Sequence, residues 1–315
     1  MKPEVKKILE KKHYKVVGNH SAVKLCHWTK KSILDQGYCY KQKFYGIKSH
    51  RCLQMSPAVV YCTQKCLFCW RDTKLTFPEF PIEETDDPKE IIEGCIKAQR
   101  QLLSGYGGIP DRINKKKFEE AQKPNQVAIS LAGEPTLYPK LSQLIEEFHN
   151  YGFTTFLVTN ATLPERIADL DEMPTQLYYS LDAPSEEIYK KLCNPLLRDA
   201  WKRINESLEL MPSLDTRKVI RITLVKGFNM IEPESYAKLI LKAEPDFIEV
   251  KAYMFLGDSR ERLSLANMPS FSEVMDFAKE LDSYLSYGIR SYKEDSRVVL
   301  LSKRKNTKIK QIKCD

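Results

Sequence analysis

The chain has 315 residues, 42% hydrophobic and 29% charged, with a net charge of +8 at neutral pH. That balance allows one large domain or two ordinary ones with a sizeable core, and it excludes wholesale disorder. No apolar run approaches the roughly 20 residues of a membrane-spanning helix. The charged start MKPEVKKILEKK does not read as a signal peptide, so the expectation is a soluble cytoplasmic protein with no membrane contact.

Charge placement says more than its total. Residues 1–60 hold 13 Lys and Arg against 3 Asp and Glu, and residues 290–315 hold 9 against 3, while the middle is net acidic. A basic excess at both ends points to a polyanionic partner, with nucleic acid the leading candidate.

Residues 1–57 form a basic N-terminal extension carrying Cys26, Cys39 and Cys52 at C-x12-C-x12-C spacing. From residue 58 to 288 short apolar runs alternate with helix-period segments. The strand-like runs are 58–61, 127–131, 154–158, 176–181, 219–225 and 247–253, short and rich in β-branched or aromatic residues. The helical segments are 88–103, 140–150, 185–193, 199–211, 233–243 and 270–287. The first is marked by Asp87 as N-cap and Pro88 at N1, and the last by Ser270 and Glu273 at capping-box spacing. A long Gly- and Lys-bearing insertion, 104–125, interrupts the series, and a basic segment, 289–315, closes it with a hairpin expected over 289–303. Six strand–helix alternations predict an α/β fold with a parallel sheet, either open or curled into a barrel.

Nine cysteines, an odd number, in a chain with no export signal argue for metal or redox chemistry rather than disulfides. Cys95 and Cys193 fall on apolar helix faces and Cys314 in the tail, and all three read as structural. Cys62-Thr-Gln-Lys-Cys66-Leu-Phe-Cys69 is different. Three thiolates in eight residues can wrap one side of a cubic iron–sulfur cluster, whereas electron-transfer clusters commonly take four. One iron is then left for another ligand. The bland alternatives are a zinc site, which prefers four ligands, or buried cysteines.

The spacing resembles the signature of the radical S-adenosylmethionine (SAM) enzymes, in which the open iron chelates SAM. That resemblance implies roles at successive strand ends. Gly133 and Glu134 match the glycine–glutamate motif that receives the SAM ammonium. Asn160 and Asp182 fall where the family contacts the carboxylate and ribose hydroxyls, with Ser180 sharing that role. Phe68 matches the aromatic that lies against adenine. Singly, each has a structural reading as cap, turn or core residue.

The second triad, Cys26, Cys39 and Cys52, fits a second four-iron cluster with an open iron, a zinc site completed by His27 or His50, or buried cysteines. Taken with Cys-Thr-Gln-Lys-Cys-Leu-Phe-Cys-Trp, Ser-Leu-Ala-Gly-Glu-Pro-Thr-Leu-Tyr, and Gly105-Tyr106-Gly107-Gly108 with Lys115, Lys116 and Lys117, it makes the chain similar to the tRNA 4-demethylwyosine synthases in their archaeal form. The resemblance implies a partial (β/α)6 barrel, open on one side, with the cysteine-bearing extension near its mouth. It implies two [4Fe-4S] clusters and SAM as cofactors, and N1-methylguanosine in phenylalanine tRNA and pyruvate as substrates. A 5′-deoxyadenosyl radical takes hydrogen from the N1-methyl group. The methylene radical attacks the pyruvate carbonyl carbon, the carboxylate carbon leaves, and ring closure completes the tricyclic base of wyosine, making the enzyme a carbon–carbon lyase.

Pyruvate could chelate the open iron of the second cluster or form a Schiff base with Lys41 or, less favoured, Lys43. Tyr38, Tyr40, Phe44 and Tyr45 could stack on exposed bases or pack in the core. The eukaryotic relatives place a flavodoxin-like domain before this unit, and the start of this chain leaves no room for one. An external electron-donor protein is expected, acting on a monomer. The competing readings are another auxiliary-cluster radical SAM enzyme, either an RNA methylthiotransferase or a peptide maturase, and a non-catalytic zinc-stabilised RNA-binding protein.

Overall fold

Short β-branched and aromatic runs, each followed by an amphipathic helix, build a single ten-stranded sheet in the computed structural model, which describes residues 1–303. Cys314 and the rest of the tail lie outside the described residues. The strands are β1 (Lys15–Val17), β2 (Ser21–Val23), β3 (Cys52–Ser56), β4 (Gln126–Ile129), β5 (Thr154–Thr159), β6 (Gln176–Ser180), β7 (Arg217–Leu224), β8 (Phe247–Ala252), β9 (Ile289–Lys293) and β10 (Val298–Ser302). Their spatial order is β1-β2-β3-β4-β5-β6-β7-β8-β10-β9. The six strands β3 to β8 are parallel. An antiparallel ribbon extends each edge, β1–β2 on one side and the expected β9–β10 hairpin on the other. The result is the open (β/α)6 arrangement, with outward-facing strand residues packed under the helices in one large core.

Helix ends follow local chemistry. Helix Pro88–Leu103 starts at Asp87, whose carboxylate accepts the Lys89 N–H at 3.0 Å. Ser270 and Glu273 form the capping box of helix Phe271–Ser283. The 104–125 insertion is not all loop: Asn114 caps a short helix, Lys115–Ala121.

Two expectations need correction. Residues 58–61 are buried, but they are not a strand. The first parallel strand ends at Ser56, and Pro57, which has no N–H to give a ladder, turns the chain. Ala58, Val59, Val60 and Tyr61 then pack into an apolar cluster with Val5, Leu9 and Tyr14. Burial, not pairing, made that run apolar. Second, the extension does not stay at the mouth. Its helix Tyr40–Tyr45 enters the barrel and packs against Phe156, Tyr178, Val219, Phe247, Val298 and Leu300, which face inward. Phe247, Val219 and Phe156 lie toward the N-terminal ends of their strands, so this helix plugs the bottom half. Tyr40, Phe44 and Tyr45 are therefore core residues and not RNA-stacking platforms. Tyr38 is 40% exposed.

The plug is tethered by charge. Tyr40 and Tyr45 donate their hydroxyls to the two oxygens of Glu249, at 2.9 and 2.7 Å, and Glu249 is fully buried. Hydrogen bonds to a buried charged group are worth more than neutral ones. Tyr45→Phe is expected to lower the unfolding free energy by roughly 1–3 kcal/mol, measured by chemical denaturation.

Candidate active site

A single cavity of about 450 Å³ runs through the barrel and is lined by both cysteine triads, Lys41, Phe68, Gly133, Glu134, Asn160, Ser180 and Asp182. The six cysteines of the two triads, Lys41 and the expected SAM contacts thus reach one space. The first triad follows the C-terminal end of β3, and Cys52 begins β3 at its opposite end. The two triads therefore sit toward opposite ends of the same strand.

The upper triad is fixed by its neighbours. The loop 62–69 is held by backbone bonds from Lys65 to Asn194 and from Leu67 to Leu192, at 3.1 and 2.9 Å. Arg262 binds the carbonyls of Leu67, Cys69 and Arg71. Gly133 has φ +72°, and a Cβ there would lie 1.8 Å from the Ala58 carbonyl oxygen, so only glycine lets the β4 loop rest on the loop that carries the thiols. Burial pushes the Cys62 thiol up to about 12, and the hydrogen bond with Cys193, with burial second, holds Cys66 well above its usual range. Cys193 is buried within hydrogen-bond reach of Cys66.

Glu134 is nearly inaccessible. Its Oε1 accepts the Thr136 N–H and the hydroxyls of Thr136 and Thr159, and its Oε2 accepts the Asn160 N–H at 2.7 Å. Desolvation raises its carboxyl above the usual range, and those bonds oppose the rise. Asn160 donates to Thr63 Oγ1 at 2.8 Å and approaches Cys62 Sγ at 3.8 Å, so it joins the carboxylate to the thiol loop. Asp182 accepts the Thr223 N–H at 2.8 Å. Burial pushes it up to about 6, with the Arg221 guanidinium pulling the other way. Arg221 donates to Ser180 Oγ at 3.4 Å.

In the lower half, Cys26 and Cys39 are the N-caps of helices His27–Ile33 and Tyr40–Tyr45. The nearby backbone N–H groups of Trp28 and Thr29 favour the thiolate of Cys26, and that of Lys41 the thiolate of Cys39. Burial nonetheless pushes Cys39 up to about 12. Lys41 is buried, its ammonium 4.9 and 4.6 Å from the ring centres of Phe156 and Tyr178, and desolvation lowers its pKa. Lys43 is exposed and donates to the Tyr292 carbonyl at 2.7 Å, outside the cavity.

Four contributors were missed in the sequence: Arg71, Arg221, Glu249 and Lys251. Arg71 is 7% exposed, its Nη1 lacks a partner, and the three upper cysteines are its attracting charges. Burial lowers Lys251 to about 8, and its amine donates to the Ser296 carbonyl at 2.9 Å. Only their place on adjoining strands or beside Cys69 could have drawn attention to them.

The donor chemistry fits iron–sulfur groups. Among the described residues, the eight cysteines are free. No three His, Cys, Asp or Glu side chains converge as on a single ion. A cuboidal cluster puts each thiolate on a different iron and needs no such convergence. The buried Arg71 cation at the upper triad, its Nη1 without a partner, suits a net-negative group.

Residues 57–240 match the radical SAM superfamily, and residues 242–303 match a family described as wyosine base formation. The chain is 55% identical, over 96% of its length, to the SAM-dependent tRNA 4-demethylwyosine synthase of Pyrococcus abyssi, and it covers 89% of that protein. The chain belongs to the tRNA 4-demethylwyosine synthase family. It is a radical SAM enzyme of wyosine biosynthesis, of the archaeal type, and the methylthiotransferase, peptide-maturase and zinc-protein readings are not favoured. The mouse synthase is 38% identical over 96% of this chain, which spans 42% of that longer protein. A solved structure described as TYW1 with a bound lysine–pyruvate adduct superposes with TM-score 0.87 at 40% identity, covering 96% of both chains. An archaeal TYW1 crystal structure gives 0.80 at 38% identity, again covering 96% of both chains. The radical SAM fold implies SAM and one [4Fe-4S] cluster as cofactors of this synthase. Among the described residues, no helix is long and apolar enough to cross a membrane.

Gly133→Ala is expected to destabilise the synthase by more than about 1 kcal/mol, because the β4 loop must lift off Ala58. Gly105→Ala, whose Cβ meets nothing within 4 Å, leaves the thermal midpoint nearly unchanged and serves as the control.

Proposed function

We propose that this synthase condenses the N1-methylguanosine at position 37 of phenylalanine tRNA with pyruvate, acting as a carbon–carbon lyase with Lys41 holding pyruvate as a Schiff base. The observation that carries this reading is Lys41 itself. It is a buried amine in a cavity that also contains both triads, and among the described residues it has rings but no hydrogen-bond acceptor around its ammonium. Burial favours the neutral amine, which is the nucleophilic form. A related solved protein carries a lysine–pyruvate adduct. Lys251 is less suited, since its amine is engaged by Ser296.

Cys62, Cys66 and Cys69 would hold the radical SAM cluster, which when bound supplies the electron that cleaves SAM. Cys26, Cys39 and Cys52 would hold a second [4Fe-4S] cluster beside the pyruvate. Glu134 Oε2, with one bond from the protein, keeps acceptor capacity for the SAM ammonium. The backbone of Gly133 lies alongside it, Asn160 serves the carboxylate, and Asp182 with Ser180 serves the ribose hydroxyls. Phe68 provides an apolar wall for adenine. The walls exclude water, and Lys41 presents the carbonyl carbon to a base withdrawn from its stack. Exposed Lys115 and Lys116 of the insertion, without ion pairs among the described residues, are candidates for phosphate contact. Lys117 is instead paired with Asp35. One chain supplies every wall of the cavity, in keeping with a cytoplasmic monomer of three parts: extension 1–57, core 58–288 and basic segment 289–315. An external protein would supply the electron.

Borohydride reduction in the presence of pyruvate should trap an adduct on Lys41, located by peptide mass spectrometry. Lys41→Arg abolishes it and Lys251→Arg retains it, and an adduct on Lys251 instead would refute the assignment. Iron content after anaerobic reconstitution should fall by half in Cys26→Ala. Asp182 titrates near 6 and is protonated below that, so SAM affinity should weaken as pH falls through about 6. Asp182→Asn should remove that dependence.

A further inference from the structure

A second space, about 490 Å³, opens on the outside of the barrel and is lined by Leu9, Tyr14, Lys24, Trp70, Arg71 and Arg260 among others. Trp70 and Arg71 line the active cavity as well. The wall between outside and inside is therefore made by the two residues that directly follow Cys69. It is a fixed wall. Gly257, at φ +58°, brings its backbone so close that a Cβ would lie 2.2 Å from the Trp70 carbonyl oxygen, and Asp258 N–H donates to that oxygen at 3.0 Å. The Trp70 ring lies parallel to Tyr14, 5.8 Å away, and the Lys24 ammonium sits over both rings at 4.7 and 4.6 Å.

The charge around this cleft leans basic. Asp258 and Asp72 share Lys12, and Glu261 pairs with Lys74. Lys24 and Arg260 have no ion pair among the described residues. Helix Pro3–Lys11, which supplies Leu9, adds the exposed Lys6, Lys7 and Lys11 against Glu4 and Glu10, leaving the surroundings of the cleft net positive. A tRNA base must enter the active cavity itself, and this cleft is closed to it by Trp70 and Arg71. An electron needs no opening.

We infer that this cleft is the docking surface for an acidic one-electron carrier protein, and that the electron enters through the Trp70–Arg71 wall. The proposal rests on the reading that Cys62, Cys66 and Cys69 hold the cluster. One electron leaves the reduced carrier, which becomes its one-electron-oxidised form, and arrives on the iron–sulfur group. No atom is transferred.

The test uses the reconstituted synthase, Arg260→Glu and Lys24→Gln/Arg260→Glu. Cluster reduction is followed by stopped-flow absorbance, with a reduced acidic flavodoxin as one donor and dithionite as the other. The variants should be reduced about tenfold more slowly by the flavodoxin, with the salt dependence flattened. They should keep the wild-type rate with dithionite, and flavodoxin binding measured by anisotropy should weaken in parallel. Unchanged reduction by the flavodoxin overturns the proposal. So does an equal loss with both donors, which would mean structural damage, or a loss of tRNA affinity alone, which would make the cleft an RNA surface. If wild type itself shows no reducible cluster with dithionite, the failure belongs to the cluster reading instead.

Discussion

The buried carboxylate of Glu249 is the anchor on which the rest of the interior depends. A carboxylate sealed from water is costly unless its oxygens are bonded, and here the donors are Tyr40 and Tyr45 of the plug helix. Those two bonds commit a short helix from the N-terminal extension to the bottom of a barrel made by later sequence. Lys41 and Cys39 travel with it. The buried amine of Lys41, one cysteine of the lower triad and the floor of the cavity thus follow from satisfying one acid.

The cavity has two electrostatic halves. At the top, Glu134, Asp182 and the first cysteine triad gather around Arg71 and Arg221, and Asn160 ties the thiol loop to the carboxylate. Lower down, the plug-helix amine of Lys41 sits where desolvation disfavours its charged form, and Lys251, level with Thr223 near the C-terminal end of β8, is lowered in the same way beside Arg221. The top suits a zwitterionic cofactor. The lower part sets the Lys41 amine against aromatic rings.

What the sequence disclosed was whatever is encoded locally. The alternation of strands and helices and the cap at Asp87 were legible because period and capping are short-range properties. The spacing of Cys62, Cys66 and Cys69 was legible for the same reason. The run 58–61 misled because burial against the N-terminal helix and burial in a sheet leave the same apolar signature. The aromatics of 40–45 stayed open between an RNA surface and core packing, because lysines are interleaved with them and their burial depends on strands more than a hundred residues away. Arg71, Arg221, Glu249 and Lys251 are single charged residues whose meaning comes only from what the fold sets beside them.

The tether of the plug also orders events during synthesis. Tyr40 and Tyr45 precede their acceptor by 209 and 204 residues, so the inner helix leaves the ribosome long before its anchor exists. Contacts of such sequence separation are slow to form. Until the sixth parallel strand arrives, the thiols of the extension stay reachable from solvent. In that interval Cys26 and Cys39 stay open, and the last parallel strand closes the barrel over them.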